Sequence, residues 1–236
     1  NHPSYTALDA KTITTANQTI CYNTSPAAID AETSTGGAYD ANSSCKTSLP
    51  AYQYTWYVAR TATTCATSQA TSSTATSPNT GWSVVVGPGS TFEDLTAANV
   101  ITGIGYVGSG LTDPETYCFQ RKTTSANCNA WTGTVSVSIQ TVPTAGAIDI
   151  NNIVLCGSGS VNLTNTTAGT GDGTISYRWE ASTTSAASGF NPITGSSATN
   201  SYTVTQTTWF RRITISTVLS TPCESVPSNV VVVYTN

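Results

Sequence analysis

Seven cysteines are the most reactive side chains in this chain, at positions 21, 45, 65, 118, 128, 156 and 223. None forms a Cys-x-x-Cys pair, and the single histidine is His2, so no set of four ligands has zinc-binding spacing. Serine or cysteine hydrolysis needs an imidazole beside its nucleophile, and one terminal His makes that chemistry improbable. No phosphate-cradling glycine loop occurs. These cysteines instead suit disulfides in an oxidising compartment, and their odd number leaves at least one unpaired or shared between molecules.

The carboxylates number 12, densest at Glu93-Asp94 and at Asp113-Pro114-Glu115. Glycoside hydrolysis requires two carboxylates at a fixed separation in a cleft. Calcium requires several oxygen ligands. Both clusters are read as structural, with a weak calcium site in a long insertion as the alternative for the second. Arg121-Lys122 and Arg211-Arg212 put neighbouring cations on opposite sides of a strand. They are read as a solvated face or as salt bridges, and anionic-glycan binding is the sharper reading. Trp56 and Trp179 are expected in the core. Trp82 and Trp131 are also read as packing residues, with an exposed contact role as the alternative for which Trp131 is the better candidate. Asn17, Asn23, Asn42, Asn162 and Asn165 fit the N-x-S/T pattern, which a Thr-rich chain generates by chance.

These groups must be carried by strands. Charged residues make up 8% of the chain, against roughly 25% in an average soluble protein. Thr and Ser number 46 and 29 of 236 residues, so hydroxyls replace charges on the surface, and β-branched Thr fits a half-exposed pleated sheet. Val135, Val137 and Ile139 alternate with Ser136 and Ser138, a period of two. Gly157-Ser-Gly159, Gly171-Asp-Gly173 and Gly87-Pro-Gly89 mark turns. No run of ten residues has helical periodicity with caps, and Thr96–Asn99 is expected to make one helical turn at most. Residues 61–80 are nearly all Thr, Ala and Ser and read as a solvated loop, or as a glycosylated stretch. The net charge of −4 and the lack of any Lys/Arg run leave no electrostatic footprint for nucleic acid. No apolar run approaches a membrane span. The opening Asn1-His2-Pro3 and the absence of Met suggest a processed chain or a segment of a longer one.

A divergent repeat organises the whole. Asn17–Cys21 resembles Asn152–Cys156, Tyr54-Thr-Trp56 resembles Tyr177-Arg-Trp179, Phe119-Gln-Arg121 resembles Phe210-Arg-Arg212, and Cys128 with Val135–Ile139 resembles Cys223 with Val230–Tyr234. The offsets, 135, 123, 91 and 95, place about 40 extra residues in the first copy, assigned to insertions at 33–50 and 93–112. The expected organisation is an extended segment over 1–12, one module over 13–142 and a second over 143–236, parted at Pro143. Short strands with frequent turns argue for an all-β chain of two tandem immunoglobulin-like sandwiches.

Six elements of the second half, in order, carry a resemblance: Cys156-Gly157, Tyr177-Arg-Trp179, Phe190–Gly195, Thr207–Arg212, Cys223 and Ser228-Asn229-Val230. Residues 147–236 resemble the immunoglobulin-like surface repeats of Bacteroidota, the SprB-like gliding and adhesin modules exported by type IX secretion. The resemblance implies a secreted, surface-displayed, tandem and non-catalytic module with no cofactor. The second module holds just Cys156 and Cys223, so their pairing is the simplest hypothesis. Repeat equivalence then pairs Cys21 with Cys128. Cys45 and Cys65 staple the first insertion, and Cys118 remains as the unpaired candidate, either a buried thiol or an intermolecular cross-link. Self-association or neighbouring modules of the same surface protein are the expected partners, with surface glycans as a further class. One route to a fibre is donation of residues 1–12 to a neighbouring sheet edge. A glycan-binding accessory module of a secreted enzyme is the alternative function.

Overall fold

A computed structural model describes residues 7–37, 52–61, 65, 81–105, 114–125, 128–150 and 154–236. Cys45, Asp113 and most of the Thr/Ala/Ser stretch lie outside the described residues. The described residues are all-β apart from one short helix, and the chain divides into two compact units, the first ending at Ile139 and the second spanning Gln140–Asn236. The boundary expected at Pro143 falls earlier because the connecting residues are held by the second unit. Gln140 Nε2 donates to Thr221 O at 3.1 Å, Thr141 N and Oγ1 donate to Asp172 at 2.5 and 2.8 Å, and Thr144 N donates to Thr170 O at 2.9 Å.

The first unit contains a sheet ordered β1-β5-β4-β2-β3, formed by β1 (Gln18–Cys21), β2 (Gln53–Thr61), β3 (Trp82–Ser90), β4 (Glu115–Ser125) and β5 (Cys128–Gln140). Val135, Val137 and Ile139 all face inward, as their alternation with Ser requires. The expected single helical turn is the two-turn helix α1 (Ala97–Ile104). Thr96 caps it by accepting from Asn99 N at 3.3 Å, and Gly105, at φ 67°, closes it with bonds to Ile101 O and Thr102 O. A Cβ on Gly103 would lie 2.9 Å from Val85 Cγ2 and 3.0 Å from Phe119 Cε1, so glycine lets the helix sit close to the sheet.

Residues 7–12 do not form the free extended segment expected over 1–12. Asp9 and Thr35 exchange backbone bonds at 2.8 and 3.0 Å, Ile13 bridges Ala31, and Ala10 is buried. Residues 7–12 thus complete their own unit, and residues 1–6 of the expected segment lie outside the described residues.

The second unit is a two-sheet sandwich. One sheet is ordered β11-β8-β6, from β6 (Ala147–Ile150), β8 (Gly159–Thr167) and β11 (Asn200–Val204). The other is ordered β10-β9-β12-β14-β7, from β7 (Val154–Leu155), β9 (Thr174–Ser182), β10 (Asn191–Ile193), β12 (Thr208–Val218) and β14 (Val231–Thr235), with β13 (Thr221–Glu224) also pairing β12. β7 runs parallel to β14 while β6 edges the opposite sheet, an immunoglobulin-type arrangement of strands. Its core is Ile148, Ile150, Val161, Leu163, Trp179, Ala181, Val204, Phe210 and Val233. Tyr202 meets Phe210 edge-on with centroids 5.3 Å apart.

Candidate functional site

The most developed polar constellation occurs twice. On β9, Trp179 is the direct cross-strand partner of Arg212 on β12. Tyr177, two residues away, points to the same face. The Arg212 guanidinium lies 4.3 Å from the Tyr177 ring centroid and 5.5 Å from that of Trp179. Its Nη1 donates to Asn165 Oδ1 at 2.8 Å and Ala198 O at 2.9 Å, and its Nη2 to Thr167 O at 3.2 Å and Ala145 O at 3.4 Å. The Trp179 indole donates to Ser197 O at 2.9 Å. One side chain thus ties β12 to β8, to the segment before β6 and to the loop before β11.

The first unit repeats the arrangement. Trp56 on β2 faces Arg121 on β4 in the same register. The Arg121 guanidinium is 4.8 Å from the Tyr54 centroid and 6.0 Å from that of Trp56. Nη1 donates to Glu93 O at 3.1 Å, and Nη2 to Ala10 O at 2.5 Å and Glu32 O at 2.7 Å. The Trp56 indole donates to Glu93 O at 3.2 Å. Even the backbone beside each arginine is treated alike. Thr132 Oγ1 accepts from Arg121 N at 3.0 Å, and Ser228 Oγ accepts from Arg212 N at 2.9 Å.

Both guanidinium-bearing residues are 0% exposed. This corrects the surface reading of Arg121 and Arg212. Burial pushes both pKa values down, opposed by Tyr54 and Glu93 around Arg121 and by Tyr177 around Arg212. Arginine stays protonated regardless. A buried cation is tolerated because its Nη groups meet oxygen acceptors and its face meets aromatic rings, although the Nε of each arginine has no partner. The signal for burial was in the sequence. Arg121 and Arg212 share strand parity with Phe119 and Phe210, two residues before them. Lys122, at the opposite parity, is also buried and has its Nζ 5.9 Å from the Trp131 centroid.

Several other charges among the described residues are also engaged by the scaffold. Arg211 donates to Glu180 Oε2 at 2.7 Å and lies 4.1 Å from the Phe190 centroid. Arg178 donates to Glu180 Oε1 at 3.1 Å and pairs with Glu224. Glu224 in turn raises the Arg178 pKa. Glu93 Oε2 accepts from Thr33 at 3.0 Å, and Asp94 Oδ1 accepts from Ala31 N at 2.8 Å. Glu115 pairs with Arg60 and accepts from the Tyr117 hydroxyl at 2.5 Å. Among the described residues, no group of three or more His, Cys, Asp or Glu is placed to hold a metal ion.

The cysteine assignments change. Cys65 is bonded to Cys118, with Cα atoms 5.4 Å apart, so neither the Cys45–Cys65 pair nor an unpaired Cys118 stands. Cys156 is free and exposed at the bend after β7, while Cys223 is buried on β13 and disulfide-bonded. That overturns the Cys156–Cys223 pair. Cys21 and Cys128 are also disulfide-bonded. Trp131 sits within β5, 5.2 Å from the Tyr57 centroid, and is half-buried by that packing. Trp82, the other contact candidate, is half-buried at the start of the edge strand β3.

Residues 144–236 match the Domain of unknown function (DUF8696). This stretch holds Arg212, Tyr177, Trp179 and every acceptor of the guanidinium, so the family's extent coincides with one complete arginine clasp. No curated protein matches the chain. The disulfide-bonded cysteines fit an oxidising environment, and among the described residues no helix is long and apolar enough to cross a membrane.

Proposed function

We propose that this chain is a non-catalytic, secreted structural module of a bacterial surface adhesin or filament, acting through stiffness and tandem display. The observation that carries this reading is the duplicated clasp. The side chains best suited to bind or react, two arginines with their Trp and Tyr neighbours, are turned inward in both units, and the terminal guanidinium nitrogens are engaged chiefly by main-chain acceptors. The Cys65–Cys118 bond and the ion pairs around Glu180 add rigidity of the same kind. The resemblance of residues 147–236 to Bacteroidota surface repeats supports surface display. A time course with a broad-specificity protease, with and without thiol reductant, tests the stiffness. The intact chain is expected to persist and the reduced chain to be cut sooner. Antibody labelling of intact producing cells tests display. Rapid cleavage of the oxidised chain, or labelling only after lysis, would overturn the proposal.

A further inference from the structure

The two units finish the outer face of their arginine-bearing sheets differently. The cross-strand pair Phe119–Val135 in the first unit corresponds to Phe210–Val231 in the second. This places Val135 opposite Val231 in the repeat, one residue beyond the offset that the sequences suggest. With that register, outward Ser136 and Ser138 correspond to Val232 and Tyr234, and Cys118 corresponds to Trp209.

In the second unit the outward positions of three neighbouring strands therefore form one uncharged strip. Trp209 on β12 is the cross-strand partner of Val232 on β14, and Tyr234 on β14 is the partner of Val154 on β7. Val154 is 52% exposed, Tyr234 50% and Val230, just before β14, 38%. The inward residues of the same strand, Val231 and Val233, pack on the core. A strand with one face in water normally alternates apolar with polar residues, and a continuous apolar run marks a strand covered on both faces. Val230–Tyr234 is such a run, left half open. In the first unit the corresponding face is covered over β2 and β4, and Ser136 and Ser138 on β5 are half-buried. Thr55, Tyr57, Cys118 and Gln120 are all buried there, and Cys65 is bonded to Cys118, the position that Trp209 occupies in the second unit.

We propose that this strip is where a second copy of the chain docks, second unit to second unit, with the two sheet faces packed together. This goes beyond the structural role above by assigning a surface and an occupant. The charges beside the strip favour a copy of itself. Arg178 and Arg211 alternate with Glu180 and Glu224, two cations and two anions, so the face is locally neutral in a chain of net charge −4. A two-fold related copy presents the same strip to the strip, and because the rim charges are already paired within each copy, no like charges are left to repel it. Two such sheets stack about 10 Å apart and exclude water from the apolar row.

Sedimentation velocity of the full chain over a concentration series tests the proposal. A Cys156→Ser background removes any cross-link through the free thiol. The parent and Leu219→Ser, a change at the exposed β12–β13 turn away from the strip, are expected to show the same concentration-dependent dimer. Val232→Thr with Tyr234→Thr, which approaches the hydroxyl pattern of the first unit, is expected to weaken it at least ~tenfold. Val154→Lys, at a half-exposed edge position that tolerates the change, is expected to do the same with an unchanged melting profile. A parent that stays monomeric throughout, or a dimer equally strong in all variants, would overturn the proposal.

Discussion

In the first unit Arg121 is anchored by carbonyls and has Glu93 Oε1 3.6 Å away, whereas the described acceptors of Arg212 in the second unit are all neutral. The first unit also carries the helix α1 and the Cys65–Cys118 bond, neither of which has a counterpart among the described residues of the second. The second unit is the more economical version of the same design: one sandwich, one clasp and an open outer face. The contrast separates what the scaffold requires from what has been added to it. The Tyr-x-Trp strand facing the Phe-x-Arg strand is required, because it appears in both. The helix and the Cys65–Cys118 bond belong to the first copy alone.

Removing the clasp is expected to have the largest effect. Arg212→Ala should destabilise the second unit by about 2–5 kcal/mol, since it empties a buried site and strands neutral acceptors. Arg121→Ala should cost the first unit at least as much, because Glu93 then loses its cation. Denaturant unfolding followed by tryptophan fluorescence measures both. The double substitution Cys65→Ala with Cys118→Ala should cost about 2–4 kcal/mol, in the first unit only, because the bond closes a separation of 53 residues. An equal loss in the second unit would break the comparison.

Alkali should sharpen it. Burial raises the pKa of Tyr54 and Tyr57 above the ordinary 10.0 of tyrosine. The unfolded state therefore releases these protons first. Their contribution to first-unit stability is complete below pH 10 and declines as pH rises from there toward the raised folded values. Unfolding midpoints from pH 8 to 11, read in the first unit, check this. Thr96→Ala should cost the first unit about 1 kcal/mol through loss of the α1 cap. The smallest effect belongs to Glu224, whose pKa is lowered by its hydrogen bond to Arg178. That contribution is present above the ordinary glutamate value and lost as pH falls through the lowered one, and Glu224→Gln should flatten this acid-side slope.

The strand anchors were legible because period-two alternation and β-branched runs are local properties. The clasp was half legible. Its Trp and Tyr members stood out, but arginine is so often exposed that the parity shared with Phe119 and Phe210 was outweighed. The helix was read too short, although Thr96 and Gly105 bracket it as caps. Cysteine pairing was not legible, because it depends on which strands approach one another and not on spacing along the chain. The β2–β4 register sets Ala59 opposite Cys118, yet it is Cys65, beyond the end of β2, that bonds to Cys118. Nor could the register of Val231 against Phe210 be read through a run of four consecutive valines.

Each unit is held by its own buried arginine, and indole proton exchange tests that most directly. The Trp56 and Trp179 indoles donate to Glu93 O and Ser197 O beneath the two guanidinium groups. In the native chain both N–H groups should be strongly protected. Arg121→Ala should release Trp56 alone, and Arg212→Ala should release Trp179 alone. Fast exchange of either indole in the unmutated chain, or release of both by one substitution, would contradict two self-contained clasps.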